Sequence, residues 1–587
     1  MASRIRARTF LLLAVVGGSL ISATAAMAAS TDRPASADLI LTHAHVYTPG
    51  RKADAVAIGG GRILAVGSAS EMQEFRSRST TVVSLQGRTI FPGLIDMHVH
   101  PLNAASLLLD SCHLDPGPAA GVVRAVAACV MLREPGEWIM GGQFVMQALG
   151  AIPTRQMLDA VAPNNPVLLV DDTGHNIWVN SRALKLAGVS RSTPDRPGGA
   201  IERDASGEPT GVLRDGAELL FLGVMPKPSR DMNLRDLEWA TQLLLSLGVT
   251  SFTDASVVRY QLQAYDDLAD AGKLKQHVRI CLLWEPDFDQ GKMSEAVNPI
   301  TEGPTFARPN ISPSCVKIFL DGVPTEARTA AFIDPYEPAP GRPKDERGAL
   351  QVPPDLLKAT VIRFDKAGLT VKFHASGDAA DREGLDAVEA ARQANGPGGP
   401  RHEIAHAGFI QASDIVRAKQ LGATLEFSPA LWGIDRNSPM AAGFIGIVGL
   451  PRMDRLTPVR EALDAGVTTV AGTDWPSAPT PNIWYAIEAL VTRLPAGAST
   501  GEPFAAQERI ALREAVDLYT INAARQLGTD KDEGSIEPGK RADLIVLDKD
   551  PFDIPIDKVH AVKVMATFIN GELVYGSPAP QRGKARK

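Results

Sequence analysis

Between residues 249 and 476 the hydrophobic pattern is one of short apolar runs separated by stretches with helical spacing. The runs are VTSFTDA (249–255), VRICLLW (278–284), SCVKIFLDG (314–322), LTVKFHASGD (369–378), RHEIAHAG (401–408), ATLEFSP (423–429) and VTTVAGTDWP (467–476). Fully apolar strands that alternate with helices form parallel sheets covered on both faces. A further run at 89–100, ending in His98-Val99-His100, brings the strands to eight. The pattern predicts an α/β fold built on a (β/α)8 TIM barrel, over 89–102 and 247–533. The chemically active residue types fall at the carboxyl end of each run, where such barrels carry their sites.

The two ends of the chain have a different rhythm. LILTHAHVYTPG, AVAIGGGRILAVG and TVVSLQGRTIFPG alternate apolar with polar residues and break at glycines, as do GSIEPGKRADLIVLDKD and VKVMATFINGELVYG near the other end. Residues 38–88 and 534–580 therefore read as two halves of one composite β-sandwich. Residues 103–246 interrupt the barrel rhythm with Pro- and Gly-rich sequence, and read as an insertion after the first barrel strand that caps the substrate at the barrel mouth.

At the amino terminus, Arg4, Arg6 and Arg8 precede an apolar run from Phe10 to Ile21, and Ala26-Met27-Ala28 has the small-x-small form of a cleavage site. Residues 1–28 thus read as a removable signal peptide, which predicts a periplasmic or secreted protein. The apolar run is short for a bilayer span, so no membrane attachment is expected after removal. The formal net charge is -7, and loss of three leader arginines makes it more negative. Nucleic acid is therefore not an expected partner. Four cysteines are too few and scattered for a disulfide scaffold or a cysteine–zinc cage. Export permits a disulfide, and Cys112 with Cys129 is the nearest pair.

His98 and His100 are two apart, so in a strand their imidazoles face the same side and can reach one point. His43 and His45 have the same spacing but no further ligands in register, and read as a surface or sandwich pair. The first pair gains weight from residues at later strand ends: Lys317, His374, His406 and Asp474. Imidazole and carboxylate donors of this kind suit zinc and similar divalent ions. His402 and His406 are four apart, so parity does not separate them. His406 ends its strand and is the expected ligand; His402 begins it and reads as structural.

The motifs FPGLIDMHVHP, GHNIWVNSRAL, VKIFLDG, FHASGDAA, RHEIAHAG, GTDWP, LYTINAARQLG and GSIEPGKRADLIVLD cover almost the whole chain after the leader. Together they resemble the metal-dependent amidohydrolase superfamily, in its branch amidohydrolase family 3, which includes N-substituted formamide deformylases and YtcJ-like proteins. The resemblance implies the same barrel with a terminal sandwich. It places metal at His98, His100, His374 and His406, with Asp474 as ligand and proton shuttle. In members with two ions a carboxylated lysine bridges them, and Lys317 matches that position. His175, in the inserted GHNIWVN segment, would contact substrate. Arg214-Asp215 stands where relatives often carry Glu, a departure at the insertion. Relatives also point to a homodimer.

The expected reaction is hydrolysis of a C–N bond in a small amide, N-acyl or N-formyl compound. Metal lowers the pKa of a bound water toward ~7, Asp474 carries the proton, and His175 steadies the oxyanion. One or two ions, zinc foremost, are expected, according to whether Lys317 is carboxylated. Phe427 and Trp432, in or just after the seventh strand, are the expected pocket aromatics. A lactonase or esterase on the same site, and a non-catalytic binding relative, are the rival readings.

Overall fold

The computed structural model describes residues 36–578 apart from 49, 51, 115, 197 and 290–297. The leader segment expected at 1–28 lies outside the described residues.

Eight strands run parallel in one sheet in chain order: β1 Leu94–Val99, β2 Val249–Val257, β3 His277–Leu283, β4 Ile311–Phe319, β5 Thr370–Ala375, β6 Glu403–His406, β7 Thr424–Phe427 and β8 Thr468–Ala471. The ends meet just past β8. The N–H of Asp474 donates to the His98 carbonyl at 2.7 Å and that of His100 to the Trp475 carbonyl at 2.9 Å. The expected (β/α)8 barrel is thus present.

Alternate strand residues face opposite sides. Ile280, Leu282, Val316, Ile318, Val371, Phe373, Ile404 and Leu425 face out and share one hydrophobic cluster with Leu357, Val361, Leu385 and Val388 of the surrounding helices. The intervening positions face in, and several are charged. Arg279 of β3 pairs with Glu403 of β6 at 2.6 Å, and Lys372 of β5 pairs with Glu403 at 2.6 Å and with Glu426 of β7. Barrel interiors are usually filled by branched apolar side chains; here buried ion pairs fill that place.

The run at 89–100 is two strands rather than one. Thr89–Pro92 belongs to a five-stranded sheet with His45–Val46, Leu544–Leu547, Val564–Ile569 and Glu572–Gly576, whereas β1 begins at Leu94. Gly93 is the crossing point. A Cβ there would stand 2.1 Å from Thr250 Oγ1, so only glycine lets the chain pass so close to β2. A four-stranded sheet of Arg62–Gly67, Ala55–Gly59, Leu39–Thr42 and Thr81–Ser84 completes the terminal sandwich. Residues from both chain ends, among them Leu41, Ile58, Ile90, Leu544 and Phe568, fill its core.

The insertion has a six-stranded sheet of its own, in the order Ala200–Arg203, Pro209–Arg214, Asn176–Val179, Val167–Asp171, Ile139–Phe144 and Cys112–His113. Val167 and Leu169 pack into one cluster with Phe144 and Trp178, while Leu168 packs into another with Ile177 and Phe221. Burial on both faces explains the unbroken apolar run there. The helix Arg230–Ser246 joins the barrel cluster through Leu237, Ala240 and Leu244, so the span 103–246 ends in a barrel helix. Cys112 and Cys129 form a disulfide, and so do Cys281 of β3 and Cys315 of β4. The second pair is in register across adjacent strands, a relation that sequence spacing does not reveal.

Candidate metal centre

β1 sends His98 and His100 into the barrel mouth, and the turn after β8 brings Asp474 to them. The His98 and His100 Nε2 atoms lie 3.5 and 3.4 Å from Asp474 Oδ1. One ligand atom from each of these three residues falls within 4.8 Å of the others. The rings of His374 and His406 stand 4.5 Å apart, and His406 is 4.9 Å from His98. Lys317 Nζ lies 3.4 Å from His98 Nε2. All six residues read from the strand ends therefore gather in one place. A second His/carboxylate group, His45 with Asp550 and Asp553, lies on the sandwich with its histidine exposed.

His406 departs from strand alternation. Glu403 faces in and Ile404 out, so His406 should point outward beside His402, which indeed bonds Asp365 at 2.9 Å outside the barrel. Instead the backbone turns left-handed at His406 (φ 78°) and Ala407 (φ 41°), and the ring enters the mouth. Asp474 is also left-handed, at φ 59°. Such conformations cost of order 1–3 kcal/mol each and cluster at functional sites.

Three of the four imidazoles are held from behind. His98 Nδ1 lies 2.5 Å from Glu426 Oε1, His374 Nδ1 3.2 Å from Asp321 Oδ1, and His406 Nδ1 3.1 Å from Ser428 Oγ. These contacts leave Nε2 of each ring for a ligand. His100 Nδ1 is buried without a hydrogen-bond partner. Burial pushes the His98 imidazole well below its ordinary pKa, and the charges of Lys317 and Lys372 add to this. Burial, then His175, lowers His374; burial, then His374 and Lys317, lowers His406. Buried neutral imidazoles with free Nε2 atoms are what a divalent ion requires. The Lys317 ammonium is pushed down to about 7 by burial and by the charge of Lys372.

The insertion supplies His175. Its Nδ1 lies 2.7 Å from Asp215 Oδ1, and its ring is 4.9 Å from that of His374. Burial alone would lower the His175 pKa, but the hydrogen bond and charge of Asp215 outweigh it and raise the group to about 9. Asp215, noted in the sequence only as a departure, is therefore the partner of His175.

The two expected pocket aromatics lie elsewhere. Glu426 faces into the barrel, so its neighbour Phe427 faces out and is fully buried in the barrel cluster. Trp432 is half-buried against Phe409 and Phe444, with ring centroids 6.2 and 5.5 Å away. The aromatic that does reach the site is Phe319, 5.2 Å from the His374 ring. Glu426, Asp321 and Phe319 were not singled out in the sequence. A charged residue within the apolar run ATLEFSP was the available sign for Glu426. Two cavities of about 340 and 600 Å³ share Glu202 and Arg214 of the insertion, and none of the six candidate ligands lines either.

Residues 81–575 match the model of the Amidohydrolase family. The chain is 32% identical over 562 residues to an N-substituted formamide deformylase of Arthrobacter pascens, covering 92% of this chain and 98% of that protein. It is 31% identical over 561 residues to the protein LONG AFTER FAR-RED 3 of Arabidopsis thaliana, covering 92% of each. Among solved structures, a metal-dependent hydrolase from Pyrococcus furiosus superposes with a TM-score of 0.65 at 25% identity, over 88% of this chain and all of that one.

Proposed function

The chain belongs to the Amidohydrolase family, and we propose that it is an exported zinc enzyme that hydrolyses amide, N-acyl or N-formyl bonds of small molecules. Metal-dependent hydrolysis of a C–N bond is the activity of this chain; zinc, export and the choice of carbonyl compound are our reading. The observation that carries it is the convergence of His98, His100 and Asp474, from the two ends of the barrel sheet, beside His374, His406 and Lys317. The leader pattern at residues 1–28 supports export.

The donor set fits a divalent ion. His98, His374 and His406 are neutral with Nδ1 engaged, His100 Nδ1 is buried and unpartnered, and Asp474 stands between two of the rings. We assign the ion to these five residues, with Lys317 as a sixth position. When bound, a metal there polarises the substrate carbonyl and makes water acidic enough to attack at neutral pH. Lys317, whose pKa of about 7 leaves much of the amine neutral at physiological pH, could add to CO2 and release a proton to give a carbamate, an anion that would suit a site for two ions. A permanently charged lysine there would restrict the site to one.

Asp474 accepts the proton of the attacking water and delivers it to the leaving nitrogen, a role worth roughly 10²–10⁴-fold in rate. His175, protonated by virtue of Asp215, turns Nε2–H toward the site and donates to the oxygen that becomes negative as the carbonyl is attacked. The insertion thereby supplies a catalytic donor as well as a cover. Phe427 supports the barrel from outside, and Trp432 packs against Phe409 and Phe444.

The test is a panel of N-formyl and N-acyl amines assayed with the zinc-loaded protein, following amine release. Release of free amine that disappears in His100→Ala supports the reading. Hydrolysis of lactones or esters alone, with hydroxy acid as the product, contradicts it.

A further inference from the structure

The ligands occupy the ends of β1, β4, β5, β6 and β8, while the side over β2 and β3 carries the buried carboxylates of Asp254 and Glu285 and also an apolar cluster. Val258, Leu283 and Phe288 form a hydrophobic cluster there, with Tyr260, Phe319 and, from the insertion, Leu222 packed against it. This cluster is separate from the outward-facing barrel core. Two of its members face the site by register. Leu283 is the rung neighbour of Lys317, and Phe319 is the rung neighbour of His374. Neighbours on one rung share a face of the sheet, so Leu283 and Phe319 face the mouth. Contacts agree: the Phe319 ring lies 5.2 Å from His374, 6.2 Å from His175 and 4.9 Å from Lys317 Nζ. Phe319 is only half-buried, so part of its surface remains for a ligand.

Position around the barrel gives this wall a role. In an eight-stranded barrel β4 stands across the axis from β8. Asp474, which serves the leaving nitrogen in the reading above, follows β8. The nitrogen of a bound amide therefore points toward β8, and its oxygen toward His175. The remaining substituent of the carbonyl carbon is directed across the mouth to β3 and β4.

We infer that Phe319, Leu283 and Leu222 form an acyl subsite, and that the preferred substrates are amides whose acyl group is an apolar chain or ring rather than a formyl hydrogen. The inference rests on the C–N hydrolase reading and narrows it. An apolar acyl group would join a cluster that already excludes water, whereas a formyl group would leave Phe319 uncovered. Leu222 lies just after the insertion segment that carries Asp215, so filling the subsite also bears on the element that holds His175.

The experiment compares one amine acylated with formyl, acetyl, butanoyl and phenylacetyl groups, using the zinc-loaded full chain. Calorimetric binding of N-methyl-2-phenylacetamide and N-methylformamide is measured in parallel. We expect kcat/KM to rise from formyl to phenylacetyl by at least roughly tenfold, as filling an apolar pocket permits. That gain should vanish in Phe319→Ala and shrink in Leu222→Ala. A formyl compound turned over best would overturn the subsite and leave the hydrolase reading intact. If no amide is cleaved but the phenylacetyl compound binds more tightly and loses that advantage in Phe319→Ala, the subsite stands and the reaction assignment falls. Equal binding and equal rates across the series would overturn the subsite. The wild-type series decides the matter even if Phe319→Ala does not fold.

Discussion

The backbone N–H of Asp474 donates to the carbonyl oxygen of His98 at 2.7 Å, and the side chain of Asp474 reaches the Nε2 of the same histidine at 3.5 Å. The hydrogen bond that closes the barrel between its last and first strands thus also sets the spacing of two side chains proposed as metal ligands. The left-handed backbone of Asp474 belongs to this arrangement. Substituting the side chain should leave the closure in place, because the bond is made by the main chain.

Asp474→Asn is accordingly expected to fold and to retain the histidine cluster, but to lose the proton acceptor. Its kcat should fall by roughly 10²–10⁴-fold, with thermal unfolding close to that of the wild type. Unchanged kcat would remove Asp474 from the mechanism.

Glu426 touches no substrate position but holds His98 Nδ1 at 2.5 Å while paired with Lys372. It acts as a positioning residue that keeps the His98 Nε2 lone pair aimed at the site. Glu426→Gln should weaken metal retention by roughly 10–100-fold, read by competition with a chelator. Glu426→Ala should in addition destabilise the fold by about 3–5 kcal/mol, since Lys372 loses one of its two buried carboxylates. Retention equal to wild type in both variants would reduce Glu426 to a packing role.

His175 offers a pH signature. Its folded pKa is raised from 6.5 to about 9, so its contribution to stability is fully present below about 6.5 and is lost as pH rises through about 9. Because the protonated form is the hydrogen-bond donor, kcat should decline on the alkaline side near that value. Asp215→Asn removes the partner that raises it, and should move the alkaline limb to lower pH. A limb that stays in place would assign it to another group.

The two disulfides predict a mass change. Alkylation without reductant should label no cysteine, and alkylation after reduction should label Cys112, Cys129, Cys281 and Cys315. Removing the Cys112–Cys129 link, which spans 17 residues, should destabilise the insertion by about 3 kcal/mol on loop entropy. Labelling of Cys281 and Cys315 in the unreduced protein would contradict the second bridge.

The barrel was legible because each strand is an apolar run short enough to be told from a helix, and because the ligands end those runs. Parity brought His98 and His100 together. It did not separate His406 from His402; position at the strand end favoured His406, whose left-handed backbone breaks the alternation and brings its ring to the mouth. The crossing at Gly93 was hidden because TIFPGLIDMHVH reads as one largely apolar run although it belongs to two sheets. Phe427 was expected at the pocket because it lies at a strand end; only the inward direction of Glu426 shows that it points away. The buried pairs of Arg279, Lys372, Glu403 and Glu426 join four strands distant in sequence, and no local pattern announces them.

The most direct test of the central claim is anomalous diffraction at the zinc edge from crystals of the zinc-loaded protein. The account predicts anomalous density within bonding distance of His98, His100 and Asp474, with His374 and His406 beside it. Zinc bound only at surface carboxylates or at His45, with the barrel mouth empty in a protein that still releases amine, would contradict it.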